Sequence, residues 1–435
     1  MLDHVDVGPR PLSAYTHIIG EEGVEKIREL AAPLRGARIA HINATTYGGG
    51  VSELLRSIVP LYRGLGIQCD WKLISARPEF FNVTKDVHNA LQGGSCKLTR
   101  AARETYLAYN TRNAQLLEEE YDFIIVHDPQ PAGIRHFRGP NGARWIWRCH
   151  IDTSEPNEAV LEFMLPFVAE YDALVFTMDA FVPPGLEHQR VVTMTPAIDP
   201  LSPKNVGLSE GICQEIRAWR GIDPRRPLVT QVSRFDPWKD PLGVIEVYRM
   251  VREEVPGLQL ALLSSMASDD PEVWEMYSEI VAETRGDDDI HVLTNLIGVG
   301  DMEVCAFQTS SDVVIQKSIR EGFGLVVSET MWKGTPVVAN RSGGIPLQME
   351  NDVGGFLVDD TEECAERVLF LLNNRDDARR RGLAGRERVR QRFLITRLLA
   401  DELQLLANLA PAVGIPAPSA SGSTVTAASL MVSQD

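Results

Sequence analysis

The sequence predicts an α/β protein of two domains, each a mostly parallel sheet with helices on its faces. Three observations lead there. The first is the unit from Val313 to Gly344, which reads strand, glycine loop, helix, strand: a β-branched run at Val313 to Ile315, a break at Gly322 and Gly324, an apolar-periodic segment from Leu325 to Trp332 stopped by Lys333-Gly334, and a strand from Thr335 to Ala339. The second is length, since 435 residues exceed one ordinary core and suit two domains of about 200 residues on a prior of ~150 per domain. The third is recurrence: strand, polar loop and helix follow one another in the same order from Arg38 onward.

Taken in order, Tyr15 to Ala32 has helical periodicity through Ile18, Val24, Ile27 and Leu30, and stops at Pro33. Arg38 to Asn43 is the first strand. Tyr47-Gly-Gly-Gly50 then opens a helix through Val51, Leu54, Leu55, Ile58, Val59 and Tyr62, an order that lets backbone N–H groups approach a phosphate or a sugar hydroxyl. No G-x-G-x-x-G is present, so a plain tight turn also fits this loop. Cys69 to Ile74 is a second strand, and Asp86 to Leu117 is helical around a polar break at Gln92-Gly-Gly-Ser95. The buried strand Tyr121 to Val126 delivers His127-Asp128-Pro129-Gln130 at its carboxyl end, where open α/β sheets hold ligands; Asp128 equally suits a helix cap. Arg144 to Cys149 does the same for His150-Ile-Asp152-Thr-Ser154. Asp172 to Thr177 and Arg190 to Met194 complete the sheet, and the proline-rich run from Pro196 to Asn205 reads as a linker, placing the first domain at 1–205.

A helix from Ser209 to Trp219 and a strand from Leu228 to Val232 open the second domain, 206–394. The loop Ser233 to Pro241 carries Arg234 and Lys239 five residues apart, ahead of a helix from Leu242 to Val251. On an acidic protein such a pair fits an anion pocket, though structural ion pairs would leave the same spacing. Gln259 to Leu263 and Ile290 to Leu293 are strands, with a helix from Pro271 to Glu283 between them. Helices follow at Glu363 to Leu372 and Asp376 to Phe393; the second holds seven arginines and reads as a solvated, ion-paired surface. A last helix, Thr396 to Leu409, falls in a crossover segment at 395–410. The Ala-, Ser-, Pro- and Thr-rich segment 411–435 is expected to be disordered.

A formal net charge of −17 opposes nucleic-acid or anionic-membrane partners, so any phosphate site must be a local basic pocket. Six cysteines are scattered without a C-x-x-C pair, which suits free thiols in a reducing compartment, the cytoplasm by default. The start Met-Leu-Asp-His-Val-Asp shows no basic n-region or apolar h-region and no run approaches ~20 apolar residues, so neither a leader nor a membrane span is expected. A monomer and a homodimer both stay open.

Glu321 in the glycine loop and Glu329 in the following helix stand eight residues apart facing one crevice. The stretch Glu321-Gly-Phe-Gly-Leu-Val-Val-Ser-Glu329 resembles the E-x7-E signature of retaining glycosyltransferases with the GT-B fold, two Rossmann-like domains facing a central cleft. More narrowly, Asn43 to Glu53, His127 to Gln130 and Trp147 to Ser154 resemble trehalose synthases of the glycosyltransferring type, with trehalose phosphorylases as relatives; the resemblance covers Arg38 to Phe393. It implies transfer of glucose from a nucleoside-diphosphate glucose to glucose. Arg234, Lys239, Glu321 and His150 would be catalytic, and Gly49, Gly50, Gly322, Phe323, Gly324, Leu325, Glu329 and Asn295 would hold the donor. Tyr47, Asp128, Gln130 and Asp152 would face the acceptor. No metal site is implied, because no carboxylate pair stands at ligand spacing beside the cationic loop; Mg2+ accompanying the nucleotide stays open. A phosphorylase using α-glucose 1-phosphate, another acceptor, and a non-catalytic sugar-nucleotide sensor are the rival expectations.

Overall fold

The computed structural model describes residues 1–46, 49–186, 189–266 and 271–410, so Tyr47 and the segment 411–435 lie outside the described residues. Two sheets form the molecule. The first holds β1 (Asp3–His4), β2 (Arg38–Asn43), β3 (Gln68–Leu73), β4 (Phe123–His127), β5 (Arg144–Arg148), β6 (Ala173–Phe176) and β7 (Val191–Thr193), in the order β1-β3-β2-β4-β5-β6-β7. The second holds β8 (Leu228–Val232), β9 (Gln259–Ser264), β10 (Ile290–Thr294), β11 (Val313–Gln316), β12 (Val337–Asn340) and β13 (Gly355–Val358), in the order β10-β9-β8-β11-β12-β13.

Every pairing is parallel except that of β1, where Asp3 lies opposite Leu73 and the two-residue strand covers an otherwise open edge. Strands such as β4 and β11 are buried on both faces, which is why they read as unbroken apolar runs and not as alternating ones.

Several elements are absent from the sequence reading: β1, β13 and the helices Ile134–Arg138, Glu158–Val168, Asp301–Ser310 and Ile345–Gln348. β13 begins at Gly355, where a Cβ would sit 1.7 Å from the Val337 carbonyl oxygen, so its first residue looks like a turn in sequence and is a close strand contact in space. The helix Glu158–Val168 carries Pro166 inside it, which broke the pattern.

The chain passes between the domains twice, and the passages lie side by side. Ile198 N–H donates to Phe393 O at 2.9 Å and Ile395 N–H donates to Ile198 O at 2.8 Å, a two-stranded parallel bridge. Beyond it the helix Ile395–Leu409 packs on the helices Thr16–Ala31 and Gly50–Gly64, burying Leu398, Leu399, Leu403 and Leu406 with Leu55, Ile58 and Tyr62. Its one buried charge, Glu402, pairs with Arg148 of β5 and accepts from the Tyr62 hydroxyl at 3.0 Å. In the basic helix Arg375–Arg392, Arg381 pairs with Asp377 at 2.7 Å, Arg388 with Glu350 at 2.9 Å and Arg390 with Glu387 at 2.6 Å. Among the described residues no helix is long and apolar enough to cross a membrane.

Candidate active site

Parallel sheets leave a crevice where their strand order reverses, because successive loops there turn to opposite faces. In the first sheet this point lies between β2 and β4, in the second between β8 and β11. The loops leaving these strands carry Gly49-Gly50, His127 to Gln130, Arg234 to Asp240 and Lys317 to Gly324, so the sheet topology by itself gathers most of the sequence-predicted positions. The two crevices face each other in contact. A Cβ on Gly322 would lie 2.4 Å from the His150 carbonyl oxygen, and one on Gly50 would lie 2.9 Å from Leu325 Cδ1. Glycine is needed at Gly322 because the backbones of the two domains meet there, whereas at Gly50 the neighbour is the tip of the Leu325 side chain.

On the second domain, the helix Leu325–Lys333 starts after Gly324 at φ 80°, with no side chain capping it; on the first, the helix Gly50–Gly64 starts after Gly49, also without a side-chain cap. Two helix N-termini therefore offer N–H groups toward the seam between the domains, where an anion is favoured. Lys239 Nζ stands 2.6 Å from Glu321 Oε2, which also accepts from Ser318 Oγ at 3.2 Å. The Lys239 carbonyl accepts from Gln231 Nε2 at 2.8 Å. Asp240, at φ 47°, caps the next helix through Gly243 N–H at 3.0 Å and pairs with Lys317. That clamps the far end of the loop. Arg234 is half exposed and stands 3.0 Å from Asp236, whose carboxyl is pushed up by burial.

Phe323 and Asn295 commit their side chains to the second domain's own packing and hydrogen bonds. The Phe323 ring is buried against Phe393, 5.6 Å between centroids, and its carbonyl accepts from Gln348. Asn295 spends its side-chain amide on the Met266 backbone at 2.7 and 3.2 Å, so its loop has main chain to offer.

Glu329 is 2% exposed, accepts from Gln308 Nε2 at 3.2 Å, and stands 3.6 Å from Lys204 Nζ. Lys204, from the linker, also holds Glu53 of the first domain at 2.5 Å. These three, with Asp301 and Leu325, line a cavity of about 240 Å³. Lys204 and Glu53 were not read as site residues, and a proline-rich linker gives no periodicity from which to place a lysine.

On the first domain, Asp128 adopts φ 65° and accepts from His150 N–H at 2.9 Å; burial pushes its carboxyl up to about 7. Its carboxylate thus fixes the turn that presents His150. Asp152 accepts from the N–H and hydroxyl of Ser154 at 3.0 and 2.6 Å, and Gln130 is anchored through its carbonyl to Asn110 at 3.2 Å. The His150 ring joins two others: His127 Nδ1 lies 2.9 Å from His150 Nε2, and His41 Nδ1 lies 3.0 Å from His127 Nε2. Burial, with Arg148 nearby, lowers all three, His41 to about 3. His41 escaped the sequence reading, and His127 entered it only as part of the strand-end cluster, without a role of its own. Their signal was present: β2 and β4 each carry a histidine within an apolar run, beside His150 at the end of β5. Among the described residues no group of three or more His, Cys, Asp or Glu could hold a metal ion.

Comparison with known proteins agrees with this fold. A family model for the trehalose synthase N-terminal domain matches residues 41–183, and one for group 1 glycosyl transferases matches residues 214–388. The chain is 52% identical to a trehalose synthase of Rubrobacter xylanophilus over 94% of this chain and 99% of that one. It is 47% identical to a trehalose synthase of Pyrococcus horikoshii over 92% and 97%; trehalose phosphorylases such as that of Pleurotus pulmonarius are more distant, at 26% over 80% and 54%. Its fold matches a solved sucrose-phosphate synthase from Thermosynechococcus elongatus with a TM-score of 0.68 at 18% identity, covering 86% of this chain and 99% of that one. With two parallel-sheet domains meeting at their switch points, the chain belongs to the trehalose synthase family, trehalose-related glucosyltransferases of the GT-B fold with trehalose phosphorylases as relatives.

Proposed function

We propose that the enzyme moves glucose, with retention at the anomeric carbon, from a nucleoside-diphosphate glucose to free glucose, giving α,α-trehalose. The observation that carries this reading is the pairing of unlike groups across one seam: Lys239, Arg234 and the uncapped N-terminus of the helix Leu325–Lys333 on the second domain, and the neutral, hydrogen-bonding His150 with Asp128 on the first, where the uncapped N-terminus of the helix Gly50–Gly64 adds N–H groups. The cationic side suits a diphosphate. The neutral side suits sugar hydroxyls.

In the reaction the bond from the anomeric carbon to the diphosphate oxygen breaks, with both electrons leaving on that oxygen. A hydroxyl oxygen of the acceptor bonds to the same face of the carbon, and its proton passes to the departing phosphate. Lys239 and the helix N–H groups stabilise the charge building on phosphate. Glu321, already bonded to Lys239 and Ser318, orients the lysine and is not free to attack the sugar. Glu329, on the donor side of the cavity it shares with Lys204, is assigned to the ribose hydroxyls. The protein's own cations answer the diphosphate charge, so no metal is required, and Mg2+ would arrive only with the nucleotide. Free cysteines at positions 69, 96, 149, 213, 305 and 364 fit a cytoplasmic setting.

The test is incubation with glucose and either a panel of nucleoside-diphosphate glucoses or α-glucose 1-phosphate, following trehalose. Trehalose is expected from at least one nucleotide sugar. Formation only from glucose 1-phosphate, with release of phosphate, would establish the phosphorylase instead.

A further inference from the structure

The three stacked imidazoles of His41, His127 and His150 form a directed chain, and its direction decides what the cleft meets. Ring centroids are 5.3 Å apart for His41 and His127 and 5.2 Å for His127 and His150. A neutral imidazole has one N–H and one lone pair, so the two ring contacts can be satisfied together in only two ways. In the outward arrangement His41 Nδ1–H donates to His127 Nε2, His127 Nδ1–H donates to His150 Nε2, and His150 keeps its proton on Nδ1. In the inward arrangement every proton moves to the other nitrogen, and His41 ends with an N–H on Nε2.

Two facts separate them. His41 Nε2 is buried and has no hydrogen-bond partner among the described residues, so the inward arrangement strands an N–H in the core, while the outward one strands only a lone pair. The Arg148 guanidinium acts on the same rings and its own Nη2 is a buried donor without a partner among the described residues. A lone pair on His41 beside this cation is favourable, and a second N–H is not.

We propose that His41 and His127 are positioning residues that lock His150 in its Nδ1–H tautomer, so that the ring offers the cleft a fixed hydrogen-bond donor. This rests on the reading in which His150 touches the sugar. It refines that reading: a locked donor can hold a sugar oxygen or a departing phosphate oxygen, but cannot take the acceptor's proton, which must pass to the phosphate.

The test is long-range 1H–15N correlation NMR on the substrate-free protein labelled at histidine, with His150 assigned through His150→Asn. Nδ1 of His150 is expected to be the protonated nitrogen in the native protein and in His127→Asn, whose amide accepts from His41 and donates to His150. In His127→Phe the proton should redistribute to Nε2, and kcat should fall about 10- to 100-fold, as when a group that orients a working residue is lost, while His127→Asn retains most of the rate. A native His150 protonated on Nε2 overturns the proposal, as does an unchanged tautomer in folded His127→Phe. If His127→Phe does not fold, the native and His127→Asn spectra decide alone. The tautomer is read without substrate, so it stands or falls separately from the identity of the reaction.

Discussion

Lys239 and Arg234 share a loop, yet their surroundings differ, and so should the cost of losing each. Lys239 is largely buried against Glu321, whereas the Arg234 side chain is 52% exposed. Replacing Lys239 with alanine should lower kcat by roughly two to three orders of magnitude, the scale of about 3–4 kcal/mol for a preorganised group facing developing charge. Arg234→Ala should cost less because solvent screens it. Steady-state rates at saturating donor decide this, and a Lys239→Ala enzyme within threefold of normal would remove the lysine from the chemistry.

Asp128 gives a pH test. Its folded carboxyl holds a proton up to about pH 7 because it is buried, so the fold binds that proton more tightly than the unfolded chain does. The associated stability is complete below the ordinary carboxylate value and is lost as pH rises through 7, at about 1.4 kcal/mol per pH unit between the two values. Asp128→Asn keeps an acceptor for His150 N–H and tolerates positive φ. The melting temperature of Asp128→Asn should therefore gain on the native protein between pH 5 and 8, and a constant difference would contradict it. Asp128 was legible as a strand-end polar residue, but whether it served as cap or ligand was not. That depended on the chain's return at His150, 22 residues later.

Among the elements, sequence and structure agree best where burial is two-sided. The strands β2 and β8 span the predicted residues, Arg38 to Asn43 and Leu228 to Val232, because glycine, proline or charged residues bound those apolar runs. Short or proline-bearing elements were lost because their stability comes from neighbours and leaves little local pattern. The helix Ile395–Leu409 shows the difference between seeing an element and seeing its anchor: its apolar stripe was plain, but the partner of Glu402 lies on β5. Glu402→Leu would leave Arg148 buried and unpaired, with an expected loss of about 3–5 kcal/mol. Adding Arg148→Met should restore most of it. Denaturant midpoints at constant slope test this, and a neutral Glu402→Leu would show that the pair is not sealed from water.

Across the whole molecule, the proposed reaction divides its groups between two domains that touch at Gly322 and His150, at Gly50 and Leu325, and through Arg320, which reaches Gln92 and Glu155. Lys85 and Glu272 add an ion pair at 3.3 Å, and Lys204 joins Glu53 to Glu329. This is a shut arrangement, and bulky substrates must enter a more open one. Small-angle scattering should give a larger radius of gyration for the free enzyme than for the enzyme with nucleoside diphosphate and glucose. Equal radii, in protein shown to bind both ligands, would argue for a preformed cleft. The paired passages at Ile198 and Phe393 to Ile395 carry a further consequence, for a protease. A cut anywhere in 199–205 severs one covalent path and leaves the other, and Leu398 to Leu406 stay sunk in the first domain. A nicked sample should run as two fragments on a denaturing gel and still elute from a sizing column as one particle.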